Sequence, residues 1–178
     1  MCIRDSGTLF EYESHLRDGH RYTLGVTARR ALTDRIDIFG EISGTSRAAK
    51  SAVFDGRDYA AKFNIDYSLG RNGTLYLGGE YRRGDSVSTG RPSLESLVVA
   101  EVFVQDDAFP SGELFAYRFE SKTLLGTLGY NRPLGPRDSI DFSWRRVHST
   151  PLTKPDFALS GPFRYEANQY SIVYLMRF

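Results

Sequence analysis

The chain has 178 residues, enough for one domain and hardly two. Hydrophobic residues make up 40% and charged residues 25%, and 23 Lys and Arg against 22 Asp and Glu leave a net charge of +1. This composition excludes a disordered chain, a coiled coil and a strongly basic nucleic-acid binder. No apolar run of about 18 residues offers a transmembrane helix. The single cysteine, Cys2, excludes an internal disulfide framework. Aromatic content is high, with 12 Phe and 11 Tyr, and 17 Gly accompany it, which points to β structure.

Period-two alternation dominates, and helical periodicity is poor almost everywhere. Eight strands are expected, at about residues 8–16, 21–32, 36–48, 58–69, 74–88, 114–131, 139–149 and 163–178. In the second, Tyr22, Leu24, Val26 and Ala28 alternate with Thr23, Gly25, Thr27 and Arg29. The fourth is the cleanest: Tyr59, Ala61, Phe63, Ile65 and Tyr67 oppose Asp58, Ala60, Lys62, Asn64 and Asp66. In the sixth, Phe115, Tyr117 and Phe119 lead at first, and then Leu124, Leu128 and Tyr130 lead in the other phase. A β-bulge near Lys122 is the expected cause. The apolar run Leu97–Val104 is assigned to a long connection, as a short helix or an extra strand outside the main sheet.

Connections sort by length. Thr33-Asp34-Arg35, Gly70–Gly73 and Gly135–Asp138 are tight and rich in turn formers. Those at about 49–57, 89–113 and 150–162 are longer, and only Asp18-Gly19-His20 breaks the alternation of short and long. Most strands exceed the five or six residues usual in globular sheets and match the roughly 9–11 needed to cross a bilayer at a tilt. Tyr22, Tyr59 and Tyr117 fall near one strand end, and Tyr67, Tyr130 and Phe178 near the other, as aromatic girdles would.

The last strand carries Tyr170, Ile172, Tyr174, Met176 and the terminal Phe178 on one face. This resembles the terminal strand signal of bacterial outer-membrane β-barrel proteins. The resemblance implies an antiparallel up-and-down transmembrane barrel. It also implies an outer-membrane location, a surface against lipid and lipopolysaccharide, and insertion by the outer-membrane assembly machinery through that strand. Met1–Ser6 resembles the translation of a sequencing adapter. On that reading residues 1–6 are a non-native leader, 7–178 is the barrel domain, and the eight strands are either a whole barrel or the C-terminal part of a larger one.

If the apolar face meets lipid, the lumen is lined by Asp37, Glu41, Lys62, Asp66, Glu80, Arg82, Arg118, Glu120, Lys122, Asp141 and Arg145. Six are acidic and five basic. They form either a plugging ion-pair network or the wall of a weakly selective water path. The expected role is a passive pore or structural barrel. The alternatives are the membrane barrel of an export or surface-assembly protein, and a soluble ligand-binding barrel, whose apolar face would point inward. Arg82, Arg83 and Arg91 are either solvated loop charges or a site for anionic headgroups. No cofactor or metal site is expected: His15, His20 and His148 match no ligand spacing. Catalysis is not expected either, because adjacent residues such as His148 and Ser149 point to opposite faces of a strand and cannot act as base and nucleophile.

Overall fold

A computed structural model describes residues 2–10, 15–109, 111–152 and 164–176. The strands are β1 (Cys2–Phe10), β2 (Gly19–Thr33), β3 (Ile36–Ala49), β4 (Gly56–Ser68) and β5 (Thr74–Gly90). After them come helix α1 (Leu94–Val99), β6 (Val102–Gln105), β7 (Phe115–Pro133), β8 (Asp138–Pro151) and β9 (Tyr165–Met176). All nine strands join one antiparallel sheet, in the order β1-β2-β3-β4-β5-β7-β8-β9, with β6 pairing to β7 off this path. The outer edges of β1 and β9 are not joined to each other among the described residues.

The tight turns lie at one end of the sheet. Between β2 and β3 the Thr33 hydroxyl accepts from the backbone N–H groups of Arg35 (3.2 Å) and Ile36 (3.1 Å), which closes the turn locally. A 3-10 turn at Gly70–Asn72 joins β4 to β5, and Leu134 N–H donates to the Asp138 carbonyl (2.9 Å) between β7 and β8. The connections from β3 to β4 and from β5 to β7 leave the opposite end. Seven of the eight expected strands sit where the alternation places them.

The first strand is a correction. It runs from Cys2 to Phe10, not from 8 to 16, and pairs Cys2 with Thr27 through Phe10 with Gly19. His15–Arg17 forms a 3-10 turn instead, held by Ser51 N–H to the Leu16 carbonyl and Leu16 N–H to Asp107 Oδ2. Gly19 and His20 belong to β2, so the short connection expected at Asp18-Gly19-His20 does not exist.

The bulge expected near Lys122 is also corrected. β7 pairs with β5 without a register break from Gly90–Phe115 to Thr74–Asn131, and with β8 from Ser121 to Pro133. Phe115 and Tyr117 are apolar for another reason: they pack against the connection that follows β5. Ser93 caps α1, accepting from Ser96 N–H (3.1 Å). Tyr117 is 1% exposed, and Phe103 of β6 lies against it with ring centroids 6.2 Å apart. Val53, Val99, Ala116 and Phe119 are buried as well. Residues 94–105 thus supply both the short helix and the off-path strand.

Candidate functional site

Pairing that is regular except for a register shift between Ala31 and Thr33 of β2 sorts the side chains of β2–β5 and β7–β9 onto two faces of opposite character. Thr27, Glu41, Lys62, Glu80, Leu125 and Val147 form one row of cross-strand neighbours; Val26, Ile42, Ala61, Tyr81, Leu124 and His148 form the row beside it on the other face. The polar face is the shielded one. Ile42 is 71% exposed, whereas the side chain of Glu41, next to it in the chain, is 14% exposed. A single cavity touches polar-face residues of β2, β3, β4, β5 and β7. Strands sit about 4.8 Å apart, so five adjacent strands can line one cavity only if that face is concave.

The polar face holds Asp37, Glu41, Lys62, Asp66, Glu80, Arg82, Asp141 and Arg145. Lys62 Nζ lies 3.3 Å from Glu41 Oε1, and Arg82 Nη2 lies 2.8 Å from Glu80 Oε1. Tyr76 donates its hydroxyl to Asp141 Oδ1 (2.8 Å). Asp37 and Asp66 are direct cross-strand neighbours, a like-charge pair, with Arg29 on Asp37 (3.2 Å) and the Asn64 amide on Asp66 (2.6 Å).

Arg118, Glu120 and Lys122 stand in the other phase. Without a bulge they stay in phase with Leu124 and Leu128, on the opposite side of the strand from Ser121 and Thr123. Glu120 Oε1 accepts from Nε of Arg83 (2.8 Å), which shares the apolar face with Tyr59 and Tyr81. Arg118 instead ties down the β3–β4 connection, donating to the Ala52 carbonyl (2.6 Å).

The convex face is apolar over a defined height. Tyr22, Tyr59 and Tyr81 stand toward its loop end, and Tyr67, Tyr130 and Tyr174 toward its turn end. The Tyr130 hydroxyl donates to the Asn72 carbonyl. Tyr59 and Tyr67 are eight residues apart on β4, about 26 Å along the strand. Between the girdles lie Ile38, Phe63, Ile65, Leu77, Leu128 and Trp144. Tyr117 is not in the girdle; it is buried. Tyr170, Ile172, Tyr174 and Met176 are exposed along β9, and Phe178 lies outside the described residues.

The cavity in the concave face sits at its loop end. It has a volume of about 360 Å³ and is walled by Arg21, Arg47 and Arg82, by Asp58 and Asp85, and by hydroxyl side chains. A second cavity of about 210 Å³, lined by Glu41, Ser43 and Lys62, shares Thr23, Thr45, Asp58 and Arg82 with it and extends the trough toward the turn end. Arg21, Arg47 and Asp58 are absent from the expected lining, although alternation alone puts Arg47 in phase with Glu41 and Asp58 in phase with Lys62. At the loop end Asp106, fully buried, binds Arg17 (2.5 Å) and the Thr89 hydroxyl (2.9 Å), joining two connections to β5.

His148 and Ser149 do point apart: His148 lies 2.6 Å from Glu166, while Ser149 meets the Thr123 hydroxyl (2.9 Å) on the polar face. Among the described residues no group of three His, Cys, Asp or Glu side chains is placed to hold a metal ion, and no helix is long and apolar enough to cross a membrane. Comparisons of the chain with protein-family models, curated proteins and solved structures found no match.

Proposed function

We propose that the chain is the wall of an outer-membrane β-barrel, with its convex face in lipid and its concave face around a passive water path. The observation that carries this reading is the inversion of exposure. Ile42, Phe63, Leu124 and Ile172 are exposed, while the acidic side chains of Glu41, Asp58 and Glu80 are shielded. A soluble barrel has the reverse arrangement. Strands of 12–19 residues and tyrosines at both margins of the band support the same reading. In hydrocarbon the free edges of β1 and β9 must find partners, because unpaired backbone groups are costly there. Closure of the sheet is therefore part of the proposal. Its partners are the lipid bilayer, lipopolysaccharide on the outer leaflet, and the assembly machinery that reads the last strand. The role is permeation or scaffolding rather than catalysis.

Trp144 provides the test. It is the single tryptophan, and it stands on the convex face between Tyr130 and the loop-end girdle. Refolded into vesicles whose acyl chains carry bromine, the protein should lose most of its tryptophan fluorescence relative to unlabelled vesicles. Undiminished emission from folded protein would refute the lipid-facing assignment. The barrel of an export machine would pass this test too, and would differ by requiring an attached soluble domain for its activity.

A further inference from the structure

We infer that the cavity at the loop end of the concave face binds a small solute bearing a multivalent oxyanion, a phosphate or sulfate group. The inference rests on the reading of this face as a water-filled interior, and it names the solute class that the path would favour.

The argument is a balance of donors and acceptors. Arg21, Arg47 and Arg82 converge on one cavity of about 360 Å³. A guanidinium carries five N–H donors and no acceptor, in a planar fork suited to phosphate or carboxylate oxygens. Arg47 spends one Nη2 hydrogen on the Asp85 carbonyl (2.7 Å), and its enclosed Nε–H has no hydrogen-bond partner among the described residues. Arg82 spends one Nη2 hydrogen on Glu80.

The acceptors in the cavity wall are few. Asp58 stands 3.9 Å from Arg47 Nη2 and 3.9 Å from Arg82 Nε, close enough for attraction and too far for a hydrogen bond. Asp85 Oδ2 is occupied by the backbone N–H of Arg57 (2.7 Å). The hydroxyls add donors. Thr23 and Thr45 share one hydrogen bond (3.2 Å), as do Ser86 and Ser121 (2.5 Å), so each pair keeps one proton for a ligand. Three cations line the cavity with two carboxylates. Arg21 and Arg82 are exposed and each already has an interaction of its own, so the costly donor is the enclosed Arg47 Nε–H, which lacks an acceptor among the described residues. An anion with three or four oxygens would supply what this wall lacks. A chloride ion would bring a single acceptor atom, and an apolar ligand none.

Asp58 then acts as a resident competitor, bracketed by two guanidinium groups that an incoming oxyanion would take over. Two substitutions at the same cavity must therefore have opposite signs. Isothermal titration of the full chain, refolded in detergent micelles, would use inorganic phosphate and sulfate as probes against a chloride background. Arg82→Gln and Arg21→Gln should each weaken binding about tenfold, the loss expected for one charge-assisted contact. Asp58→Asn should tighten it. General damage to the fold cannot produce both effects, and an unchanged circular dichroism spectrum checks each variant. Absence of phosphate or sulfate binding, or equal affinities for wild type, Arg21→Gln and Arg82→Gln, would overturn the inference.

The outcome separates from that of the pore. If phosphate binds with these signs while planar bilayers carrying the protein stay electrically silent, the site stands and the open path fails. If current flows and phosphate neither binds nor blocks it, the path stands and the site fails.

Discussion

Ile65 and Asn64 are neighbours in β4 on opposite faces, and the two make a matched pair. Ile65→Arg places a charge among Ile38 and Leu77 on the convex face, and should cost about 2–4 kcal/mol of folding stability near a bilayer midplane. Asn64→Arg places the same charge in the polar trough and should cost much less. Urea titrations of both variants in lipid vesicles check this, and equal losses would remove the assignment of faces. Close packing gives a second contrast. A Cβ on Gly129 would lie 2.1 Å from the Tyr76 ring, and one on Gly79 would lie 2.2 Å from the Phe63 ring. Gly126, in the same strand as Gly129, has open space where a Cβ would go. Gly129→Ala should therefore lower the midpoint of unfolding by displacing Tyr76 from Asp141, and Gly126→Ala should leave it nearly unchanged. These ring-on-glycine contacts are invisible in the sequence, because Tyr76 and Gly129 are 53 positions apart and only the pairing of β5 with β7 brings them together.

At the level of elements, the strands were legible because alternation is a property of each segment alone. Where legibility failed, an apolar residue had a reason to be apolar other than standing on the convex face. Phe115 and Tyr117 follow the strand rhythm of an apolar face, yet they pack against β6, and that substitution of cause produced the false bulge and, with it, the wrong phase for Arg118, Glu120 and Lys122. The loop-end cavity was missed for a different reason. Its arginines come from β2, β3 and β5, and no spacing in the sequence announces their convergence. The ion pair of Arg17 with buried Asp106 holds this end together, since it joins the 3-10 turn after β1 to the connection after β6 and, through Thr89, to β5. Removing one partner of such a pair leaves a buried charge uncompensated, at a cost of about 3–5 kcal/mol. Arg17→Ala should accordingly raise amide hydrogen exchange at Asp106 and Ala108, whose N–H groups bond to the Leu114 carbonyl and to Asp106 Oδ1. Asp106→Asn, which keeps a side-chain acceptor for Thr89 and Ala108, should raise it less. Exchange in the middle of β4 should not change in either variant.

At the scale of the whole molecule, the concave face carries charge along its length: Arg21, Arg47 and Arg82 with Asp58 and Asp85 toward the loops, Glu41, Lys62 and Glu80 in the middle, and Asp37, Asp66 and Asp141 with Arg29 toward the turns. An open path along such a face predicts conductance that changes with Glu80→Gln, since Glu80 holds Arg82, which lines both cavities. Single-channel recordings of folded protein check this, and silent membranes would favour a lumen plugged by its own ion pairs. The order of strands has a consequence of another kind. Apart from the detour through α1 and β6, every strand in the sheet lies beside its neighbour in the chain. Each hairpin can therefore close over a short loop before the next one joins, and the entropic cost of bringing distant segments together is met mainly once, where β7 returns to β5. Such a chain can assemble by zipping, one hairpin at a time, and the slowest step should be the docking of β7.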